Sequence, residues 1–287
     1  MPLVEVLKEV DATFYPDIVE AGSINAALSR SLSDIGSHLV ADESPVNKFM
    51  PYVRVEEGSR FSQTELGSGQ RLFLTDFWSQ GVMFGCGSSE DLPDSALAIH
   101  AWIVKKPSIE RMSKLFTFFS PTEGGIAHDA GLYVEFKWKG LLETWYANEN
   151  PFKIRTRKQL SSFLFSDSLF QKLGFIRWYF YYLFHGNRKY SPIPVIKEAM
   201  KKPELRKLFP YTSLNRLCFS RTTGYPFTHD CPVIEPQGNG RYSVSMPNSQ
   251  EIIGEGTAGE AVEMVVKNLP PNCGSAVNGT ADDFATR

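Results

Sequence analysis

The sequence predicts an α+β fold, with strands and helices mixed around one large core or divided between two subdomains. Helix-like and strand-like segments follow one another without the sustained strand–helix–strand rhythm of a parallel sheet. No fixed-period repeat is evident. Phe (21), Tyr (11) and Trp (5) make up 13% of the chain, and at 287 residues that is volume enough for a self-sufficient core.

The elements follow in order. Residues 16–40 place Ile18, Ala21, Ile24, Ala27, Leu28, Leu32 and Ile35 near helical spacing after Pro16, which predicts an amphipathic helix with His38 as a surface cation at its end. PYVRVE predicts a strand, and QRLFLTDFWSQGVMF a hairpin about a Ser-Gln-Gly turn. GCGSSE reads as a turn. Acids and Pro93 then start a helix carrying Leu92, Ala96, Ile99, Trp102 and Ile103 on one face, stopped by Pro107, with a short helical or extended piece over 109–119. From Gly131, Tyr133, Glu135 and Lys137 alternate with Val134, Phe136 and Trp138, as in a strand. Residues 155–184 look helical, and so do Ile193 to Leu208, closed by Phe209-Pro210. Strands are expected at 217–220, 242–246 and 251–254, then a helix over 258–268 starting near Thr257. The chain is read as an N-terminal α+β region (1–125), a C-terminal α+β region (126–269) and a polar tail (270–287).

Composition narrows the chemistry. Thirty basic residues nearly balance 32 acidic ones, so no global field concentrates nucleic acid or an anionic membrane. The N-terminus lacks the basic and apolar pattern of a secretory leader, and no stretch reaches membrane-spanning length, so a cytoplasmic protein is expected. Cys86, Cys218, Cys231 and Cys273 show no CxxC spacing, which argues against a zinc ribbon or a redox dithiol. GCGSSE and GSGQR match neither phosphate-loop pattern, and no G-x-S-x-G elbow occurs.

Some residues still stand out. Arg71 opens an apolar strand, where a guanidinium either caps the strand end or grips a ligand carboxylate. Glu90, Asp91 and Asp94 start the next helix and match its dipole. His100 reads as a half-buried histidine or a pocket residue. His229, Asp230 and Cys231 are consecutive, so on an extended chain they face alternate sides and form no triad by themselves. The run Trp178 to Phe184 surrounds a full helical turn and reads as buried helix or dimer seam.

Two stretches carry a resemblance: FWSQGVMFGCGSSEDLPDSALAIHAWI, and LRKLFPYTSLNRLCFSRTTGYPFTHDCPVIEP continuing through GRYSV and EAVEMVVKNLPPNCGSAVNGTADDF. They are similar to a bacterial family with a domain of unknown function, named for natural-product biosynthesis. Within that neighbourhood the chain resembles the McbB-type, β-carboline-forming Pictet–Spengler cyclases. The resemblance implies a homodimer without cofactor or metal that joins tryptophan, or a related arylethylamine, to an aldehyde. It also implies an arginine for the carboxylate, a glutamate acid/base and a nearby histidine. Arg71 matches the arginine in its strand context. Where the histidine and glutamate belong, this sequence has Phe84-Gly85-Cys86 and Asp94-Ser95-Ala96, so neither is reproduced.

The resulting expectation assigns proton transfer to Asp94 or Glu90 and carboxylate binding to Arg71. Phe73, Phe77, Trp78 and Trp102 would form pocket walls with His100 beside them. The reaction needs one acid/base group and a π-rich cavity, whose faces also stabilise an iminium. A non-catalytic small-molecule-binding protein and a structural subunit of a biosynthetic complex are the alternatives.

Overall fold

The computed structural model describes residues 12–43, 52–149, 190–247, 249 and 251–285. Its helices and two antiparallel sheets make an α+β fold. The chain divides into two compact units, Met1–Tyr133 and Val134–Arg287, where the sequence reading set its boundary at 125/126. No helix among the described residues is long and apolar enough to cross a membrane.

The first unit is built on six consecutive antiparallel strands: β1 Asp42–Glu43, β2 Val53–Glu57, β3 Arg60–Leu66, β4 Phe73–Ser79, β5 Val82–Ser89 and β6 Ser120–Pro121. Gln80 and Gly81 join β4 to β5 with φ of 51° and 74°, the left-handed pair that a two-residue hairpin requires. Alternation then decides the faces. Val53, Val55, Ser62, Thr64, Phe73, Thr75 and Phe77 are buried on one face. Helices α1 Pro16–Ala21, α2 Ile24–Asp34 and α3 Leu92–His100 add Ile18, Leu28, Leu32 and Ile99 to the same core.

A π-helical turn, Ala101–Lys105, extends α3 and drives Trp102 into that core. The turn ends at Lys106, in the left-handed region at φ 51°, and Pro107 follows. Phe77 meets Trp102 and Phe119 edge-on at 6.2 and 5.1 Å. Two short helices, α4 Ile109–Leu115 and α5 Glu123–Asp129, complete the unit.

GCGSSE is not a turn: Gly85 to Ser89 lie within β5 and Glu90 follows it. Its glycines are there for close approach, since a Cβ on Gly85 would fall 2.4 Å from the Phe119 ring and one on Gly87 would fall 2.3 Å from the Phe118 carbonyl oxygen.

The second unit corrects two further expectations. The alternating run from Tyr133 is no strand but the start of α6, Tyr133–Glu149. Val134, Trp138, Leu141, Leu142 and Trp145 all meet the second core, and that helical stripe prevails over the short alternation inside it. Ile193 to Leu208 is not one helix. It forms α7 Ile193–Met200 and α8 Pro203–Arg206, and Phe209-Pro210 opens strand β7, Phe209–Ser213. A proline is tolerated there because β7 is an edge strand.

Strands β8 Arg216–Ser220, β9 Val233–Gly238, β10 Arg241–Ser245 and β11 Ile252–Gly256 complete a five-stranded antiparallel sheet in the order β11-β10-β9-β8-β7. Helix α9, Ala258–Lys267, begins with a full capping box between Thr257 and Glu260. It buries Ala261, Val262 and Val265 with Val195, Ile196, Leu217, Phe219 and Val244.

The segment after α9 is polar yet docked. Val277 bridges Thr222, the Ala276 and Ala281 amides donate to the Lys207 and Pro226 carbonyls, and Ala281–Ala285 forms a last short helix, α10. The helix expected over 155–184, with its Trp178 to Phe184 aromatics, lies outside the described residues.

Candidate functional site

The expected site residues separate into two environments. Phe73, Phe77 and Trp102 are fully buried in the first core. Trp102 Nε1 donates to the Trp78 carbonyl at 2.9 Å, and the Arg60 guanidinium lies 4.1 Å from the Trp102 ring centroid. These three side chains support the sheet from behind and line no open wall.

Arg71 is committed to the fold. Its Nη1 and Nη2 donate to the two Asp17 carboxylate oxygens at 2.7 and 2.9 Å, Nε donates to the Glu90 carbonyl at 2.9 Å, and Nη1 also donates to the Phe14 carbonyl at 3.0 Å. The guanidinium beside Asp17 holds that carboxyl below its usual range. A substrate carboxylate would have to displace one already gripped on both oxygens.

Glu90 contributes its backbone to this staple, and its side chain is exposed. Asp94 is exposed in the first turn of α3. His100 lies half-buried with Nδ1 2.9 Å from Ser37 Oγ, and burial, followed by the charges of Lys105 and His38, lowers its pKa. His38 is exposed and pairs with Glu57 at 2.6 Å. The structure thus joins Arg71 to Glu90 and packs Phe77 on Trp102, but it gathers no acid, arginine and aromatic wall around one opening among these residues.

The other face of the first sheet does gather such groups. Register pairs Arg54 with Gln63, Gln63 with Asp76, Asp76 with Cys86, and Cys86 with Ser120. Directly paired residues share a face, so these side chains form one polar row across five strands. The next row pairs Glu56 with Phe61, Phe61 with Trp78, and Trp78 with Met83. Phe61 and Trp78 are stacked at 5.6 Å with ring planes 6° apart, and the Arg54 guanidinium lies 3.9 Å from the Phe61 centroid. An irregularity between Phe77 and Trp78 lets Phe84 turn into the core without moving Cys86 off the outer face.

Asp76 is the group there with perturbed chemistry. Burial, and secondarily the negative charge of Glu65, push its carboxyl pKa up. Two residues along, Trp78 Nε1 is buried without a hydrogen-bond partner, a donor whose desolvation nothing offsets. Of the expected residues, Trp78 alone belongs to this face. Asp76, Gln63 and Phe61 escaped the sequence reading, although an aspartate on the alternate face of RLFLTDFW was a visible signal.

His128 and the His229-Asp230-Cys231 run fall elsewhere. In the first unit His128 is 6% exposed, and its ring lies 5.0 Å from Phe84 and 5.5 Å from Tyr133. Its Nε2 has no hydrogen-bond partner. In the second unit His229, Asp230 and Cys231 diverge: His229 Nδ1 lies 3.3 Å from the Tyr211 hydroxyl, Asp230 pairs with Arg221, and Cys231 is buried in the core. No group of three His, Cys, Asp or Glu suited to a metal occurs among the described residues.

A model of a family of unknown function, DUF6193, matches residues 184–280, within the second unit. No curated protein and no solved structure matches the chain.

Proposed function

We propose that the Asp76 face is a cofactor-independent acid–base site for an aromatic amine, in a natural-product pathway of the Pictet–Spengler type. The observation that carries this reading is a carboxyl held toward its protonated form beside a stacked aromatic pair. Such a carboxyl can give a proton to an imine and take one from the ring carbon that the indole uses for attack. Phe61 and Trp78 offer π faces to the cationic intermediate, an attraction of about 1–2 kcal/mol when desolvated.

The commitment of Arg71 to Asp17 shifts the preferred substrate from tryptophan to an arylethylamine without a carboxylate. Asp76 replaces Asp94 and Glu90 as the proton carrier because both of those are exposed. The homodimer is carried over from the resemblance.

Incubating the protein with tryptamine and small aldehydes, and following tetrahydro-β-carboline by its absorbance and mass, tests the reaction. Turnover that Asp76→Asn abolishes supports it. Thermal stabilisation by tryptamine without product would favour a binding protein instead, and neither turnover nor stabilisation sinks both readings.

A further inference from the structure

We propose that Cys231 and Cys273 form a reversible disulfide, a redox latch that fastens the docked C-terminal segment to the second core. This pair belongs to the second unit and stands independently of the Asp76 reading. Both thiols are free in the structure. Cys231, 1% exposed, comes from the loop between β8 and β9 and is part of the second core, and Cys273, from the segment after α9, packs against that core. The two side chains lie within hydrogen-bonding reach of each other. No CxxC spacing announces them, because they meet only once β9, β10, β11 and α9 have folded between them.

Backbone geometry puts Cys273 there. Pro271 and Asn272 occupy the centre of a tight turn, Asn272 in the left-handed region at φ 58°, and the Cys273 amide donates to the Pro270 carbonyl at 3.2 Å. Pro271, Asn272, Gly274 and Ser275 are all exposed, while Cys273 is half-buried. Just beyond the turn, the Ala276 and Val277 amides donate to the Lys207 and Arg221 carbonyls, both at 2.9 Å. The Arg221 side chain pairs with Asp230, the neighbour of Cys231. One set of contacts thus holds both sulfurs, and the half-buried one stays within reach of a small oxidant.

The surroundings divide the roles. Burial pushes the Cys273 thiol up, offset in part by the Cys231 contact and by the charges of Arg221 and Lys207, with Asp230 opposing. Cys231 is raised further, by burial and then by Cys273 and Asp230, and Tyr211 is the other titratable group that it faces. Cys273 is therefore the attacking thiol. Its thiolate attacks one sulfur of a low-molecular-weight disulfide, such as glutathione disulfide, and one glutathione leaves as thiolate. Cys231, whose Sγ lies 3.9 Å from Asp230 Oδ1, gives its proton to that carboxylate or to solvent and attacks the Cys273 sulfur, and the second glutathione leaves. Two protein thiols are oxidised to one disulfide, and glutathione disulfide is reduced to two thiols.

The bond closes residues 231–273 into a loop and restricts chiefly the undocked chain. The segment is otherwise docked by backbone hydrogen bonds such as those of Ala276, Val277 and Ala281, and much of it is exposed. Oxidation is therefore expected to protect those amides against local opening.

The test exposes the reduced full chain to glutathione disulfide at pH about 8 and locates linked peptides by mass mapping. A Cys231–Cys273 linkage is expected, reversed by dithiothreitol. It should form about tenfold faster for each pH unit gained near neutrality, because the thiolate fraction sets the rate. Amide hydrogen exchange at Ala276, Val277 and Ala281 should then slow severalfold relative to the reduced chain. Cys273→Ser, at a half-buried position that tolerates a hydroxyl, should form no internal disulfide and show no such slowing. A folded Cys231→Ser should stop with one glutathione on Cys273. In the wild-type protein, glutathione that rests on Cys273 without the linkage, or that leaves both cysteines untouched, overturns the proposal. A linkage that leaves the three amides exchanging as before overturns the latch.

Discussion

Arg71 and Asp76 put charge to opposite uses on neighbouring stretches of chain. Arg71 satisfies four acceptors and ties α1 to the start of α3, so its charge is spent on the fold. Arg71→Ala should cost about 1–2 kcal/mol, less than a buried charged network because the pair is partly exposed, and should leave tryptamine affinity unchanged. A urea midpoint and a binding isotherm read the two effects separately. Weakened affinity at unchanged stability would return Arg71 to the ligand. Asp76 shows the reverse pattern. Its raised pKa means that the native state holds the proton more tightly than the unfolded chain does, so ionisation at neutral pH opposes folding. Asp76→Asn is therefore expected to raise Tm by a few degrees while abolishing turnover, the signature of a group retained for chemistry at the expense of stability. A lower Tm in that variant would identify Asp76 as structural.

At the scale of elements, the same physics explains which features the sequence made legible. The β4–β5 hairpin, the proline-started α3 and the helix start near Thr257 each carry their signal within a few residues, and each was expected where it stands. The misassigned elements depend on distant partners. Gly85 and Gly87 resemble a turn until Phe118 and Phe119 are known to lie against them. Alternation from Tyr133 resembles a strand until Trp138 is found donating to the Arg206 and Leu208 carbonyls, both 3.1 Å away and far along the chain. The outer-face row was hidden for the same reason, because Arg54, Gln63, Asp76 and Cys86 converge only through strand register. Gly87→Ala tests this account of β5. Its Cβ would meet a backbone oxygen that cannot rotate away, so a loss of about 1–3 kcal/mol is expected on chemical denaturation. A neutral result would show that the Phe118 backbone gives way without cost and that close approach does not require the glycine.

For the molecule as a whole, these buried ionisable groups shape how stability varies with pH. His128 sits among Phe84 and Tyr133, with Asp129 and the half-buried Arg60 as the charged groups nearby. Burial lowers its pKa, and the adjacent Asp129 offsets this only in part. An unfolded histidine titrates near pH ~6.5, so above that pH neither state binds the proton and the full contribution is present. As pH falls below about 6.5, the unfolded chain takes up a proton that the native state refuses. Stability then declines, by at most about 1.4 kcal/mol per pH unit for one site, until the native pKa is passed. His100 is lowered by burial too and adds to the same slope, whereas the Asp76 contribution has the opposite sign, strongest at low pH and lost as pH rises through its raised pKa. Urea midpoints taken at pH 7 and at about 5.5 should therefore differ in the wild-type protein, and the difference should shrink in His128→Gln and shrink less in His100→Gln. If His128→Gln leaves the difference untouched, the unpartnered Nε2 is already accommodated in the protonated state, and the acid sensitivity has to come from the carboxylates instead.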